Sequence, residues 1–181
     1  MRKWMIASDL HGSAPAVREL LAAFEREGAE RLILLGDILY HGPRNDLPEG
    51  YAPKEVIALL SPLKDRIFSV RGNCDTEVDQ MVLPFPVLAD YAVLTAGERV
   101  VYLTHGHVYN REHLPPLTKG DILLHGHTHV SALCEQEEYV YMNPGSVSIP
   151  KEDTPRGYIL LLGDSFLFKT LGGEEYARFD A

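Results

Sequence analysis

Acidic, imidazole and amide side chains recur in five short clusters of this sequence. They are Asp9-Leu10-His11, Gly36-Asp37, Gly72-Asn73-Cys74-Asp75, Thr104-His105-Gly106-His107 and His125-Gly126-His127-Thr128-His129. Carboxylate, imidazole and amide-oxygen donors together suit Mn2+, Fe2+, Zn2+ or Co2+, whereas Mg2+ and Ca2+ prefer all-oxygen surroundings. A carboxylate such as Asp37 can bridge two cations about 3.5–4 Å apart, the separation of hydrolytic two-metal centres. Such a centre binds phosphoryl oxygens, generates hydroxide near neutral pH and stabilises the charge that develops on attack. The candidate donors are Asp9, His11, Asp37, Asn73, His105, His127 and His129.

Spacing supports convergence. Residues two apart on an extended segment point the same way, so Asp9 and His11 are expected to meet at one point, as are His127 and His129. Glycines at 36, 72, 106 and 126 let the backbone turn sharply beside the donors. Each cluster alone has a plainer reading: Asp-x-His as a polar strand end, Gly-Asp as a turn, Asn-x-Asp as a cap or turn. The run from His125 to His129 fits that reading least, because three histidines within five residues after an apolar stretch rarely serve packing. All five in succession, each at the end of an apolar run, argue for one centre where strands leave an α/β core.

The elements that must position them are legible. Trp4 to Ser8 reads as a short buried strand. Ser13 as N-cap, Pro15 in the first turn, then Val17, Leu20, Leu21 and Phe24 at helical spacing, with Gly28 closing, predict a helix. Leu32 to Leu35 is a continuous apolar run ending in Gly36-Asp37, as expected of a strand buried on both faces. A Pro- and Gly-rich loop over 41–53 leads to a second helix carrying Val56, Ile57 and Leu60, and Ile67 to Val70 is a third strand. This β-α-β-α-β opening indicates α/β layering. Two hairpins follow, Tyr91–Thr95 with Val100–Thr104 and Tyr158–Leu162 with Phe166–Thr170, so a mixed two-sheet sandwich with outer helices is expected.

The 181 residues are expected to form one domain, and 45% hydrophobic content supplies a sizeable core. The net charge of −9 and the absence of a Lys/Arg block argue against long nucleic acid as a partner. An acidic protein can still act on phosphates when bound cations supply the positive charge. No apolar run approaches the roughly 20 residues of a membrane span, and the N-terminal apolar stretch is too short for a secretory signal. Cys74 and Cys134 cannot form a disulfide framework, and a cytoplasmic, reduced protein is expected.

The motifs in this order resemble the calcineurin-like metallophosphoesterase superfamily, whose pattern runs Asp-x-His, Gly-Asp, Gly-Asn-x-(Asp/Glu), His, Gly-His-x-His. His41-Gly42-Pro43-Arg44-Asn45, Arg71-Gly72-Asn73-Cys74-Asp75 and the run Asn143 to Pro150 look like its small bacterial phosphodiesterases. The resemblance implies a four-layer α/β/β/α sandwich with two mixed sheets, and hydrolysis of small phosphodiesters by a metal-bound hydroxide. It implies two divalent transition metals, manganese foremost, with zinc, iron, cobalt or nickel as alternatives. One would be held by Asp9, His11, Asp37 and His129, the other by Asp37, Asn73, His105 and His127. A phosphomonoesterase with the same centre, or a metal-binding protein-interaction scaffold, are the alternatives. Self-association is left open.

Many superfamily members carry histidine directly after the asparagine, where it serves the leaving group. Here Cys74 stands there, and a thiol titrating near pH 8.5 is a poor acid for an alkoxide. Esters with acidic leaving groups are therefore expected to turn over best. Asp75 is expected to orient a ligand or cap a turn. Arg44, in the loop after the Asp37 strand, is the candidate grip on substrate phosphate, with His41 beside it as a candidate proton donor. His107 and His113 read as loop histidines, and the alternation of Tyr139, Tyr141 and Met142 with Val140 as strand packing. Loops 41–53 and 107–119 are where substrate choice would reside.

Overall fold

The computed structural model describes residues 2–181. Strand β1 (Lys3–Ala7) leads to helix α1 (Ala14–Glu27), β2 (Arg31–Leu34), α2 (Pro53–Leu60), a 3-10 segment (Ser61–Arg66), β3 (Ile67–Ser69) and the short α3 (Glu77–Val82). Eight strands follow: β4 (Ala92–Ala96), β5 (Arg99–Thr104), β6 (Asp121–His125), β7 (Ser131–Glu135), β8 (Tyr139–Pro144), β9 (Gly157–Leu162), β10 (Ser165–Thr170) and β11 (Glu175–Asp180).

Local signals act as expected in α1. The Ser13 hydroxyl accepts from the Ala16 N–H, Pro15 occupies the first turn, and Gly28 ends the helix at φ 60°. Val17, Leu20 and Phe24 are buried.

The strands form two mixed sheets. One runs β11-β10-β9-β1-β2-β3, with β1, β2 and β3 parallel; the other runs β4-β5-β6-β8-β7, with β5, β6 and β8 parallel. Both predicted hairpins are present, as β4–β5 and β9–β10. The apolar run in β2 follows from burial on two sides. Leu32 and Leu34, with Met5 and Ala7, pack against the helices, while Ile33 and Leu35, with Ile6, pack against the second sheet. That second sheet offers Val101, Leu103, Ile122, Leu124, Val140 and Met142 in return. Each fully buried aliphatic side chain here contributes about 1.5–3 kcal/mol.

The two mixed sheets stand as expected, but helices are few. Among the described residues none follows Val82. Residues 105–120, with Pro115-Pro116 and no helical apolar period, form a loop against the second sheet. The Tyr102 hydroxyl donates to the Pro116 carbonyl at 3.0 Å, and the Arg111 guanidinium lies 5.1 Å from the centre of the Tyr141 ring. No described helix is long and apolar enough to cross a membrane.

At the C-terminal end of α1, Glu27 ties helix to sheet. Its carboxylate is 12% exposed and accepts from the Lys169 ammonium and, at 2.8 Å, from the Tyr158 hydroxyl. Burial alone would raise its pKa, yet hydrogen bonds from Lys169 and Tyr158 outweigh this and hold it below 4.5. A depressed carboxyl contributes stability that is present above its unfolded-state pKa and lost as pH falls through the folded one. Glu27→Gln is therefore expected to cost about 1–3 kcal/mol at pH 7. The deficit should shrink below about pH 4. Urea unfolding of both proteins across that range measures it.

Candidate metal centre

Five of the seven candidate donors have left-handed backbone conformations: Asp9 (φ 57°), His11 (47°), Asp37 (55°), His127 (68°) and His129 (62°). The extended geometry expected for the Asp9–His11 and His127–His129 pairs is thus absent. The chain leaves β1, β2 and β6 and turns at once across the ends of the strands, which aims each donor inward. Asp and His tolerate this region better than most residues, but each still costs on the order of 1 kcal/mol.

The surrounding backbone holds these turns. His11 N–H donates to the Asp37 carbonyl at 2.9 Å, and Asp9 N–H to the Gly36 carbonyl at 3.2 Å. Ser146 and Ser148 hydroxyls both donate to the Asp9 carbonyl, at 2.7 and 2.9 Å. The Asn143 amide donates to the Gly126 carbonyl at 2.9 Å. Asp75, fully buried, accepts from Asp37 and Gly72 N–H at 2.8 Å each and from Ile38 N–H at 3.0 Å. Glycine is required at 126, where a Cβ would collide with the Ser8 hydroxyl and the Asp9 carboxylate, and at 72, where it would collide with Asp37.

The donors gather in two groups. In the first, Asp9 Oδ1 lies 3.5 Å from His11 Nε2 and 3.3 Å from His129 Nε2, and the two imidazole nitrogens are 3.1 Å apart. In the second, His105 Nε2 lies 3.1 Å from Asn73 Oδ1 and 3.2 Å from His127 Nδ1. Asp37 stands between them, with Oδ2 3.6 Å from His11 Nε2 and 3.4 Å from His105 Nε2.

Tautomers decide what these distances mean. His11 Nδ1 is 2.8 Å from the Tyr40 carbonyl, His105 Nδ1 2.6 Å from the Leu35 carbonyl and His129 Nδ1 2.9 Å from the Ile149 carbonyl. A carbonyl only accepts, so each Nδ1 carries a proton and Nε2 is the nitrogen that each ring turns inward. His11 and His129 then face each other Nε2 to Nε2, beside Asp9 Oδ1, which is buried without a hydrogen-bond partner. Acceptors crowded this way repel unless a cation lies between them. Ligands about 2.0–2.2 Å from a common ion sit roughly 3.0–3.6 Å from one another, so the donor set fits divalent metals.

The electrostatics point the same way. Burial would raise Asp9, but the imidazoles of His11, His129 and His105 around it outweigh this and hold its carboxyl well below the usual range. Burial would lower His105, yet Asp37 and Asp9 raise it to about 9. The cluster attracts positive charge even against desolvation.

Other candidates are divided by the structure. Arg44 is exposed and lines a cavity of about 300 Å³ with Asp37, Cys74, His129 and Lys151. Cys74 is 6% exposed, and burial followed by the nearby Asp37 pushes its thiol up to about 12. Its sulfur and the donor atoms of His11 and Asp37 lie within 4.8 Å of one another. His41 is wedged between Tyr40 and Tyr51, at ring distances of 4.7 and 5.2 Å, and does not line the cavity. His113 is an exposed loop residue as expected, while exposed His107 stands 5.4 Å from the His105 ring. Sequence reasoning missed Lys151 and the bracing roles of Asn143, Ser146 and Ser148. The Asn-Pro-Gly-Ser turn chemistry was the available sign of the brace, whereas nothing marked Lys151.

Strand-end donors of this kind on a two-sheet α/β sandwich define a metallophosphoesterase, and the chain belongs to the calcineurin-like phosphoesterase superfamily, whose domain matches residues 2–164. Membership makes it a phosphoesterase hydrolase and implies divalent metal ions. Phosphodiesterase YfcE of Escherichia coli K12 is 48% identical over 164 residues, covering 91% of this chain and 89% of that protein. A solved structure of YfcE, described as a phosphoesterase from E. coli, matches with a TM-score of 0.94 at 44% identity over 98% of both chains. Vps29 of Entamoeba histolytica in complex with zinc shares the fold, with a TM-score of 0.62 at 21% identity over 98% of each chain.

Asp75 touches no candidate cation site directly and acts through the backbone of Asp37 and Gly72. Asp75→Ala would strand three buried N–H groups, so a loss of roughly 3 kcal/mol in unfolding free energy is expected. Mn2+ affinity should fall about 10–100-fold as Asp37 loosens. Denaturant titration and calorimetric metal titration measure the two effects.

Proposed function

We propose that this chain is a metal-dependent phosphodiesterase that hydrolyses small phosphodiesters at a centre of two divalent cations. The observation that carries the reading is the shared carboxylate: Asp37 Oδ2 reaches 3.6 Å from His11 Nε2 on one side and 3.4 Å from His105 Nε2 on the other. Asp9, His11, Asp37 and His129 would hold one cation, and Asp37, Asn73, His105 and His127 the second. Bound there, the metals would supply a hydroxide nucleophile near neutral pH and charge to offset the phosphoryl oxygens. Manganese is the metal we assign first.

The chain's own residues do the rest. Arg44 and Lys151 put two cationic side chains on the metal-side cavity, where they would grip the phosphate. His11, His105 and His129 give their Nδ1–H groups to carbonyls, which leaves Nε2 as the nitrogen that would face a cation. Cys74, buried with a raised pKa, leaves the leaving group without a strong proton donor. The similarity to YfcE, a phosphodiesterase by name, supports the diester choice. A small soluble substrate also suits the −9 charge, which disfavours long nucleic acid. We place the protein in the cytoplasm and leave self-association to measurement.

Chelator-stripped protein reloaded with Mn2+ should cleave bis(p-nitrophenyl) phosphate faster than p-nitrophenyl phosphate, and metal analysis should find near two ions per chain. His129→Ala should retain one ion and lose at least about 100-fold in kcat, and Asp37→Asn should lose both ions. Faster monoester cleavage would favour the phosphomonoesterase. Among methyl-ester substrates, replacing p-nitrophenol by a second methanol leaving group should slow turnover by more than about 100-fold, the contribution of a general acid. Equal rates would show that a proton donor is present.

A further inference from the structure

A second cavity, of about 450 Å³, opens on the far side of His127. It shares His127 and Thr128 with the metal-side cavity, so the two cavities adjoin at these residues. A phosphodiester has two ester arms, and a monoester has one.

The wall of this cavity contains a histidine that the metal centre does not use. His125 ends β6 on the face opposite the donors, with its ring 4.8 Å from that of Tyr141. Its Nδ1 lies 2.9 Å from the Gly126 carbonyl, so Nδ1 carries the proton and Nε2 is a bare acceptor. That Nε2 has no hydrogen-bond partner, and the residue is 2% exposed. A buried unpaired acceptor costs roughly 1–3 kcal/mol, and a donor on a ligand would relieve it.

Charge divides the two cavities. Arg44 and Lys151 line the metal side, whereas Glu112 and Glu152 line the second, with Arg111 the cation there and its guanidinium lying over Tyr141. The division is built into one strained turn. Glu152 and Asp153 adopt φ values of 53° and 56°, and the turn is tied by Lys151 N–H to the His129 carbonyl at 3.0 Å. Adjacent residues of opposite charge, Lys151 and Glu152, thereby line different cavities. Consecutive left-handed residues outside glycine are costly, and such strain persists where a site needs it.

We propose that the second cavity is the subsite for one ester arm of the substrate, and that it takes an arm carrying amine or hydroxyl donors in preference to an anionic one. His125 Nε2 accepts from such a donor, Glu152 and Glu112 attract a cationic end and repel a carboxylate, and Tyr141 packs against the carbon chain. The inference rests on the diester reading above.

The test uses Mn2+-loaded enzyme and two p-nitrophenyl diesters that differ only in the second arm, 4-aminobutyl or 3-carboxypropyl. Wild type should favour the aminobutyl diester in kcat/KM, and Glu152→Lys should lower that preference by about tenfold or more. Glu152→Gln, which keeps size and shape, should give an intermediate ratio. A preference that moves by less than about twofold in both variants overturns the subsite while leaving the phosphodiesterase reading intact. Metal-loaded wild type that cleaves neither diester overturns both.

Discussion

Too many lone pairs meet in one buried place. Two imidazole nitrogens 3.1 Å apart, a carboxylate oxygen without a hydrogen bond and a second carboxylate shared between two groups of donors cannot be satisfied by one another. The fold is organised around holding these acceptors where a cation would satisfy several of them at once. Rigidity is therefore the property it must supply.

That rigidity comes from the two-sheet core. Five left-handed donor residues together cost on the order of 5 kcal/mol, comparable with the whole net stability of a small domain. The parallel strands β1, β2 and β6, packed on both faces, anchor the segments that turn. Asp75 and the 143–148 segment then lock the turns from behind by hydrogen bonds to backbone groups. Strain at the centre is offset by burial several residues away.

Much of this was legible in the sequence, for physical reasons. Donor identity is written in residue type, and strand ends follow from apolar runs halted by glycine. Ser13, Pro15 and Gly28 act locally, so α1 could be read without knowing the fold. The backbone conformation of the donors was not legible, because Asp-x-His fits an extended strand as well as a pair of left-handed turns. Lys151 was hidden for a similar reason: its position depends on the strained turn at Glu152 and Asp153, which no residue type announces. His41 misled because nearness in sequence to Arg44 says nothing about the two tyrosines that enclose its ring. That helices would be few was not legible either, though Pro115-Pro116 and the lack of helical periodicity over 105–120 agree with the loop found there.

The rings of His11, His105 and His129 are each aimed by a main-chain carbonyl, those of Tyr40, Leu35 and Ile149. Every amino acid carries that oxygen. Point substitutions at those three positions can alter packing, yet none can delete the group that fixes the tautomer. The mutational target for misaiming these histidines is therefore small. Sequence drift can proceed around the centre, in the loops that meet substrate, while ligand orientation is inherited unchanged. A lineage with this architecture can alter its choice of ester without first rebuilding its chemistry.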